Sequence, residues 1–206
     1  MKVVRGLFSV LKTGMLALIA LAAVGGVVTA QPQEKLDMEN TLYLDLEYGR
    51  VVIKMRPDLA PKHVARIKEL TRQGFYDGLI FHRVIEGFMA QTGDPKGDGT
   101  GGSGTNIPAE FNAGQHTRGA LSMARASNIN SADSQFFIVL ADSAHLNGQY
   151  TYWGEVVSGM EFIDQIRKGN PAANGKVPYP DRMVRMLVAS DATKIEAKKK
   201  ANRVCG

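Results

Sequence analysis

The chain has 206 residues, a length that suits one ordinary domain plus a short targeting segment. Its 25 basic and 20 acidic residues give a net charge of +5. The basic residues are scattered among acids rather than interleaved with aromatic residues, which argues against a nucleic-acid partner. The single cysteine, Cys205, excludes an intrachain disulfide, so the core alone must hold the fold.

The first thirty residues have the layout of a secretory signal peptide. Three basic residues precede an apolar run from Met15 to Val28, and a small-residue pattern ends at Ala30. An uncleaved anchor is the competing interpretation, but this run is short for a membrane span, which needs about 20 apolar residues. We therefore expect residues 1–30 to be removed and the mature chain, with 22 basic and 20 acidic residues, to be periplasmic and not inserted in a membrane.

The next part of the chain predicts a spacer, a hairpin and a helix. Residues 31–40 are polar and predict a flexible spacer. From Thr41 to Met55, alternating leucines followed by a β-branched run predict a hairpin with one buried face. A helix should open at Pro61 and end before Gly74, with three apolar residues on one stripe: Val64, Ile67 and Leu70.

Short apolar segments continue to the end of the predicted domain, which spans residues 41–190 without a repeat or an internal linker. Strands are predicted around 80–91, 120–123, 136–140, 152–157 and 182–189, with a second helix over 160–167. About eight strands and two helices indicate an all-β closed architecture. The basic tail, residues 191–206, predicts a solvated or frayed helix, with an acidic partner as the alternative, and Cys205 predicts an incidental thiol rather than a lipidation or bridging site.

Several motifs that could carry chemistry are excluded by their context. Gly97–Gly102 matches the dinucleotide pattern GxGxxG, but no helix can open at its third glycine because Pro108 follows a polar loop. These glycines should instead let a surface loop turn sharply or pass close to substrate. The four histidines do not have metal-ligand spacing and no GxSxG elbow is present, so neither a metal, a cofactor nor a serine nucleophile is expected.

The most informative stretch is FHRVIEGFMAQTGDP, from Phe81 to Pro95. Read alone, it predicts a half-buried hairpin with Arg83 on the wet face. A second constellation follows in GALSMARA, from Gly119 to Ala126, and in the segment from Asn130 to Val156 that contains SQFFI. Together these motifs resemble the cyclophilin family of peptidyl-prolyl isomerases, in family order from about Leu42 to Val188.

The resemblance implies a cyclophilin-like closed barrel of eight antiparallel strands with a capping helix at each end. It also implies isomerisation of X-Pro bonds without a metal or cofactor, with proline-containing polypeptides as partners. Carried over residue by residue, Arg83 corresponds to the catalytic arginine and Gln91 to the glutamine that orients it. The remaining substrate contacts fall on two groups, the proline-pocket walls Phe88, Met89, Phe137 and Leu146, and the adjoining groove residues Ala124 and Gln135.

Three positions depart from the better-known eukaryotic pattern and look more like bacterial exported cyclophilins. His145 stands where that pattern has Trp, Arg125 where it has Asn, and Tyr150 where it has a pocket His. The loss of the indole puts tight cyclosporin binding in doubt, whereas Tyr150 keeps an aromatic wall with a polar tip. We count all three as substrate-contact positions.

Other readings of these residues stay open at this point. The apolar side chains of Phe88, Met89 and Phe137 could simply fill the barrel. The same pocket could serve a non-enzymatic chaperone that captures proline-containing segments, and a barrel that carries a small apolar ligand would leave Arg83 unexplained. No oligomerisation signal is found, so a monomer is expected.

Overall fold

The structure is a computed structural model that describes residues 35–192. The predicted signal peptide, the tail from residue 193 and Cys205 lie outside the described residues. Two α-helices lie between the strands, α1 (Pro61–Arg72) and α2 (Met160–Asp164). Within residues 35–192, no helix has the length and apolar character needed to cross a bilayer. The strands are β1 (Thr41–Leu46), β2 (Gly49–Met55), β3 (Arg83–Ile85), β4 (Met89–Thr92), β5 (Ala120–Met123), β6 (Phe136–Val139), β7 (Tyr152–Ser158) and β8 (Arg185–Val188).

All eight strands pair antiparallel in one sheet, in the order β3-β4-β6-β5-β7-β2-β1-β8. The predicted all-β fold is confirmed, but the closed barrel is corrected, because no strand ladder joins β3 to β8 in the described part of the chain. The segments just before these edge strands meet instead, through an isolated bridge between Ile80 and Arg182. Register shifts in the β2–β7 and β5–β7 pairs mark irregularities of the kind that bend a sheet.

The edge of β3 is occupied by a loop, and this explains why β8 does not pair there. The Val84 N–H donates to the Gly175 carbonyl at 2.8 Å, and the Val84 carbonyl accepts from the Gly169 N–H at 2.9 Å. The loop from Gly169 to Val177 therefore acts as an extra partner for β3. Covering an edge in this way also removes exposed backbone groups that could pair with another chain.

Strands β4 and β6 separate the barrel core from a second apolar cluster. Ala90, Phe136 and Ile138 belong to the main core, in which Phe136 packs edge-on against Trp153 at 5.5 Å between ring centroids. Met89 and Phe137, which alternate with them, belong to the second cluster on the opposite face. Since successive side chains in a strand point to opposite faces, the reading in which Met89 and Phe137 fill the barrel is wrong.

The two helices pack against the sheet at different strands, α1 on β8 and α2 on β2. α1 follows the prediction, with its apolar stripe buried. α2 is shorter than predicted because its last turn tightens: the Ile166 N–H donates to the Ile163 carbonyl, three residues back. The next N–H, that of Arg167, donates to the Asp181 carboxylate at 2.7 Å, which draws the backbone out of the helix.

The predicted spacer ends in a 3₁₀ turn, Met38–Asn40, that is joined to the end of α1. The Glu39 carboxylate accepts from the Ser190 hydroxyl at 2.8 Å and from Arg72 at 2.9 Å. These bonds, with that of Ser190 the largest cause, hold the pKa of Glu39 at about 2. The first and last described segments of the chain therefore meet at one end of α1.

Candidate active site

Strand register brings the predicted catalytic residues into one row. Arg83 lies opposite Gln91 in the β3–β4 ladder, and Gln91 lies opposite Phe137 in the β4–β6 ladder. Phe137 belongs to the second cluster, so its strand neighbours in this row also face away from the barrel core. The β3–β4 hairpin thus places a cation beside an amide, and the β4–β6 ladder places an aromatic ring beside that amide.

The Arg83 guanidinium is held by two residues. Its Nη1 donates to Gln91 Oε1 at 3.0 Å, its Nε to the Asn174 carbonyl at 3.0 Å, and its Nη2 to Asn174 Oδ1 at 2.9 Å. A guanidinium has five N–H groups, and three of those of Arg83 donate to these oxygen acceptors. Two η N–H groups remain without an oxygen acceptor among the described residues, although Nη1 also approaches the Met89 sulfur at 3.9 Å.

The Gln91 amide has only one orientation that satisfies its neighbours. Gln135 Nε2 donates to the Gly101 carbonyl at 2.8 Å and to the Gly99 carbonyl at 3.1 Å, and a carbonyl can only accept. Gln135 Oε1 is therefore left to accept from Gln91 Nε2, at 2.9 Å. This leaves Gln91 Oε1 as the atom that faces the guanidinium.

The glycine-rich loop that matches GxGxxG supplies those carbonyls. Asp94, buried at its start, accepts from the backbone N–H groups of Lys96, Asp98 and Gly99. Burial alone would raise the pKa of Asp94, but the backbone hydrogen bonds outweigh it and the pKa is lowered. The loop is a hydrogen-bonded turn beside the site, in agreement with its predicted role as a tight surface loop.

Arg83 carries an uncompensated charge. Burial lowers its pKa from the usual value, yet a guanidinium stays protonated at neutral pH. None of the ion pairs found in residues 35–192 includes Arg83, and its partners Gln91 and Asn174 are neutral amides. Its charge is therefore free to act on a bound group.

A cavity of about 160 Å³ opens in front of the guanidinium and suits a small apolar ring. The Phe137 and Tyr150 rings meet edge to face on its wall, 5.9 Å apart. Most of the predicted substrate-contact residues line it together with the catalytic pair: Arg83, Phe88, Met89, Gln91, Ala124, Arg125, Phe137, Leu146 and Tyr150.

Two predicted site residues lie outside this cavity. The exposed His145 ring lies tilted against the Phe88 ring, with 5.6 Å between the ring centroids, and does not line the cavity. Gln135 lies in an adjoining groove of about 290 Å³, which shares Gln91, Ala124 and Arg125 with the cavity. The cavity and the groove therefore adjoin at these three shared residues.

Arg125 is one of the residues that line both the cavity and the groove. Its guanidinium lies 4.6 Å above the Tyr150 ring centre, and it donates to the carbonyls of Ala126 and Gln149 at 3.0 and 3.2 Å. A cation over an aromatic face is attracted by the ring quadrupole. The two departures from the eukaryotic pattern, Arg125 and Tyr150, are thus packed against each other.

Asn174 was not singled out from the sequence. The only sign of it is the Asn174-Gly175 dipeptide, which indicates a turn but says nothing of a partner ninety-one residues away. Among residues 35–192, no group of three or more His, Cys, Asp or Glu side chains is placed to hold a metal ion.

Comparison with known proteins gives a consistent result. The family profile described as cyclophilin-type peptidyl-prolyl cis-trans isomerase matches residues 41–188. Probable peptidyl-prolyl cis-trans isomerases of Brucella suis and Brucella melitensis are 50% identical over 187 residues, which cover 85% of this chain and 93% of each relative. Peptidyl-prolyl cis-trans isomerase B of Bacillus subtilis is 47% identical over 133 residues, 63% of this chain and 92% of that protein.

Solved structures agree with this assignment. A cyclophilin from Hirschia baltica has a TM-score of 0.68 at 26% identity and covers 76% of both chains. A Cryptosporidium parvum cyclophilin crystallised in the presence of the dipeptide Ala-Pro has a TM-score of 0.66 at 29% identity, covering 72% of this chain and 98% of that one. The chain belongs to the cyclophilin-type peptidyl-prolyl cis-trans isomerases and is an enzyme of that class.

Proposed function

We propose that Arg83 is the catalytic residue of this isomerase and that the 160 Å³ cavity holds the substrate proline. The observation that carries the proposal is the pair of η N–H groups that Gln91 and Asn174 leave unused. They belong to a cation at the rim of an apolar cavity, and no described carboxylate neutralises it. The Ala-Pro dipeptide present with the Cryptosporidium parvum relative supports a proline-containing ligand.

The chemistry requires no covalent step. Rotation about an X-Pro bond is slow because amide resonance must be broken, at a barrier of about 20 kcal/mol. Twisting the amide localises the lone pair on the prolyl nitrogen, which then becomes a better hydrogen-bond acceptor. A guanidinium N–H placed at that nitrogen stabilises the twisted form more than either planar form, and such differential binding lowers the barrier.

The other site residues would have distinct parts in this mechanism. The apolar walls, above all Phe137 and Leu146, would bind the ring and exclude water from the amide, which strengthens the arginine contact. Gln91 would fix the direction of the guanidinium. Ala124, Arg125 and Gln135 would contact the residues beside the proline in the adjoining groove, and His145 would pack against the Phe88 ring.

We further propose that the enzyme acts on proteins folding after export, as a periplasmic monomer. The support is the leader-like pattern of residues 1–30, which lies outside the described residues. Expression of the full chain, followed by cell fractionation and sequencing of the mature N-terminus, tests this directly. A chain that begins at Gln31 in the periplasmic fraction is expected, and a full-length cytoplasmic chain would refute the proposal.

Two-dimensional exchange NMR on an X-Pro peptide tests the role of Arg83. The wild-type protein should accelerate cis-trans exchange, and Arg83→Ala should reduce that acceleration by about 10²- to 10³-fold, the loss typical of removing a transition-state donor. Arg185→Ala, on the opposite edge strand of the sheet, is the matched control and should leave the rate unchanged. Peptide binding without acceleration by the wild type would mark the pocket as a proline-binding chaperone site.

A further inference from the structure

Asn174 accepts more hydrogen bonds from Arg83 than any other described residue does. It presents two oxygens, its backbone carbonyl and its side-chain Oδ1, to the Nε and Nη2 of one edge of the guanidinium, at 3.0 and 2.9 Å. This is a fork-shaped contact of the kind that fixes both the position and the plane of an arginine. Gln91, by comparison, contacts a single nitrogen.

The double contact depends on an unusual backbone conformation. Asn174 has φ 52° and ψ 37° and is the only described non-glycine residue with a positive φ. That left-handed conformation is disfavoured for most residues, whereas asparagine tolerates it. It lets the carbonyl and the side chain of one residue point to the same guanidinium.

The loop that carries Asn174 is packed tightly against β3. A Cβ atom added at Gly175 would lie 2.5 Å from Ile85 Cγ1, and one added at Gly169 would collide with the Gly175 carbonyl. Asn170 Oδ1 accepts from the Ala172 N–H at 2.9 Å and so starts the 3₁₀ turn Pro171–Ala173 that ends at Asn174. The backbone on both sides of Asn174 is thus fixed with respect to the strand that bears Arg83.

We propose that Asn174 is the positioning residue of the catalytic arginine. It occupies the Nε–Nη2 edge of Arg83, so that the two unused η N–H groups face the proline cavity. This inference rests on the proposed role of Arg83. Without Asn174 Oδ1 the guanidinium would keep its charge but rotate more freely, and fewer bound peptides would meet it in the productive geometry.

The substitution Asn174→Gly isolates the side-chain contact. Glycine adopts a positive φ without strain and keeps the carbonyl that accepts from Nε, so only the Oδ1 acceptor is lost. We expect kcat/KM to fall about tenfold, mainly through kcat, with peptide affinity changed less than about twofold, because the apolar cavity is intact. Asn174→Asp retains an acceptor oxygen and a residue that tolerates this conformation, but its carboxylate would pair with the Arg83 cation, so it should restore the fixed position of the guanidinium without restoring the full rate.

A control and a spectroscopic signal separate positioning from loop stability. Asn170→Gly makes the same chemical change in the same loop, but the Asn170 side chain accepts only from the Ala172 N–H and does not touch Arg83, so it loosens the start of the loop alone and the rate should fall much less than in Asn174→Gly. In ¹⁵N spectra, the Arg83 Nε–H should exchange with solvent faster in Asn174→Gly than in the wild type and in Asn170→Gly. Wild-type activity in the same assay confirms the isomerase function separately.

Two results would overturn the inference while leaving that function in place. One is an Asn174→Gly protein whose kcat/KM is within about twofold of wild type with an unchanged Arg83 resonance. The other is an equal rate loss in Asn170→Gly, which would show that loop order alone matters.

Discussion

Arg83 and Gln91 lie directly opposite each other in the β3–β4 ladder, and Arg83 Nη1 donates a hydrogen bond to Gln91 Oε1 at 3.0 Å. The same amide donates from Nε2 to Gln135 Oε1 at 2.9 Å, and Gln135 is anchored on backbone carbonyls of the glycine-rich loop. The direction of the guanidinium therefore depends on a chain of amides that begins at a loop. Each side-chain amide has only one orientation that satisfies its hydrogen bonds. A substitution at either glutamine should therefore change how firmly the Arg83 guanidinium is oriented.

We predict that Gln91→Leu lowers kcat/KM about tenfold, since the side chain keeps its approximate size but Arg83 loses the acceptor at Nη1. Gln135→Leu should act in the same direction with a smaller loss, because it removes only the partner that orients Gln91. Steady-state isomerisation of a proline peptide measures both. Gln149→Leu, at an exposed glutamine that donates to the His145 carbonyl, is the control and should not change the rate. Equal activity of Gln91→Leu and wild type would show that the amide chain does not orient the arginine.

Neighbouring phenylalanines on β6 should have separable effects because they lie on opposite faces of the sheet. Phe136 is fully buried in the barrel core, so Phe136→Ala should lower the free energy of unfolding by about 3–5 kcal/mol. Phe137 lines the proline cavity, and the milder Phe137→Leu should raise KM several-fold at a stability cost below about 1.5 kcal/mol. Urea unfolding and peptide titration measure the two quantities. A large stability loss in Phe137→Leu with normal peptide binding would contradict this division.

Much of the fold could be predicted from local patterns in the sequence. The alternation of leucines in β1 and the apolar stripe of α1 follow from periodicity, whereas β5, at residues 120–123, is a short run that is buried throughout. The cavity residues were predicted from motif resemblance, and the structure brings most of them to one cavity. The pleat of β4 and β6 then explains why Met89 and Phe137 are at the site and not in the core.

The features that were missed depend on contacts between distant segments. The edge of β3 is taken by a loop near residue 175 instead of β8, and periodicity carries no information on which segment fills an edge. α2 ends early because Asp181 captures the Arg167 N–H, and the contact of Asn174 with Arg83 also joins residues far apart in the chain. His145 packs against the Phe88 ring and does not line the cavity of about 160 Å³, so its predicted role as a substrate contact stays a prediction.

Arg125 should give the enzyme a preference for acidic residues beside the proline. It lines both the proline cavity and the adjoining groove, and no carboxylate within residues 35–192 pairs with it. Rim charges act mainly through long-range attraction that salt screens. We predict that peptides with Glu next to the proline are turned over a few-fold better than those with Lys, and that added salt reduces this ratio.

The substitution Arg125→Asn tests this by restoring the residue of the eukaryotic pattern. The preference for Glu over Lys should disappear, while turnover of a peptide with Ala beside the proline changes little. Arg56→Asn is the control, since that arginine pairs with Asp58 away from the site and its loss should leave the preference intact. A Glu-to-Lys ratio that is the same in Arg125→Asn and in the wild type would rule out Arg125 as its source.

The stability of the fold should fall as the pH drops below about 6.5, because three buried histidines resist protonation. Burial is the main cause that lowers the pKa of His63, His82 and His116, although a hydrogen bond with Glu110 opposes it at His63 and one with Asn147 at His116. A histidine with a lowered pKa binds more protons in the unfolded state than in the folded one at mildly acidic pH. Acidification therefore favours unfolding, and stability is complete above the ordinary pKa.

Carboxylates contribute little to the loss of stability expected between about pH 6.5 and pH 5. The pKa values of Glu39, Asp94 and Glu110 are lowered in the folded chain, so the stability that these carboxylates contribute is present above their ordinary pKa of about 4 and is lost at lower pH. Urea unfolding at about pH 7.5 and about pH 5 should give a lower free energy of unfolding at the acidic pH. His116→Gln, which keeps a hydrogen-bonding amide without a titrating group, should reduce the difference between the two pH values. Equal stability at both pH values would mean that the buried histidines protonate as readily in the folded chain as in the unfolded one.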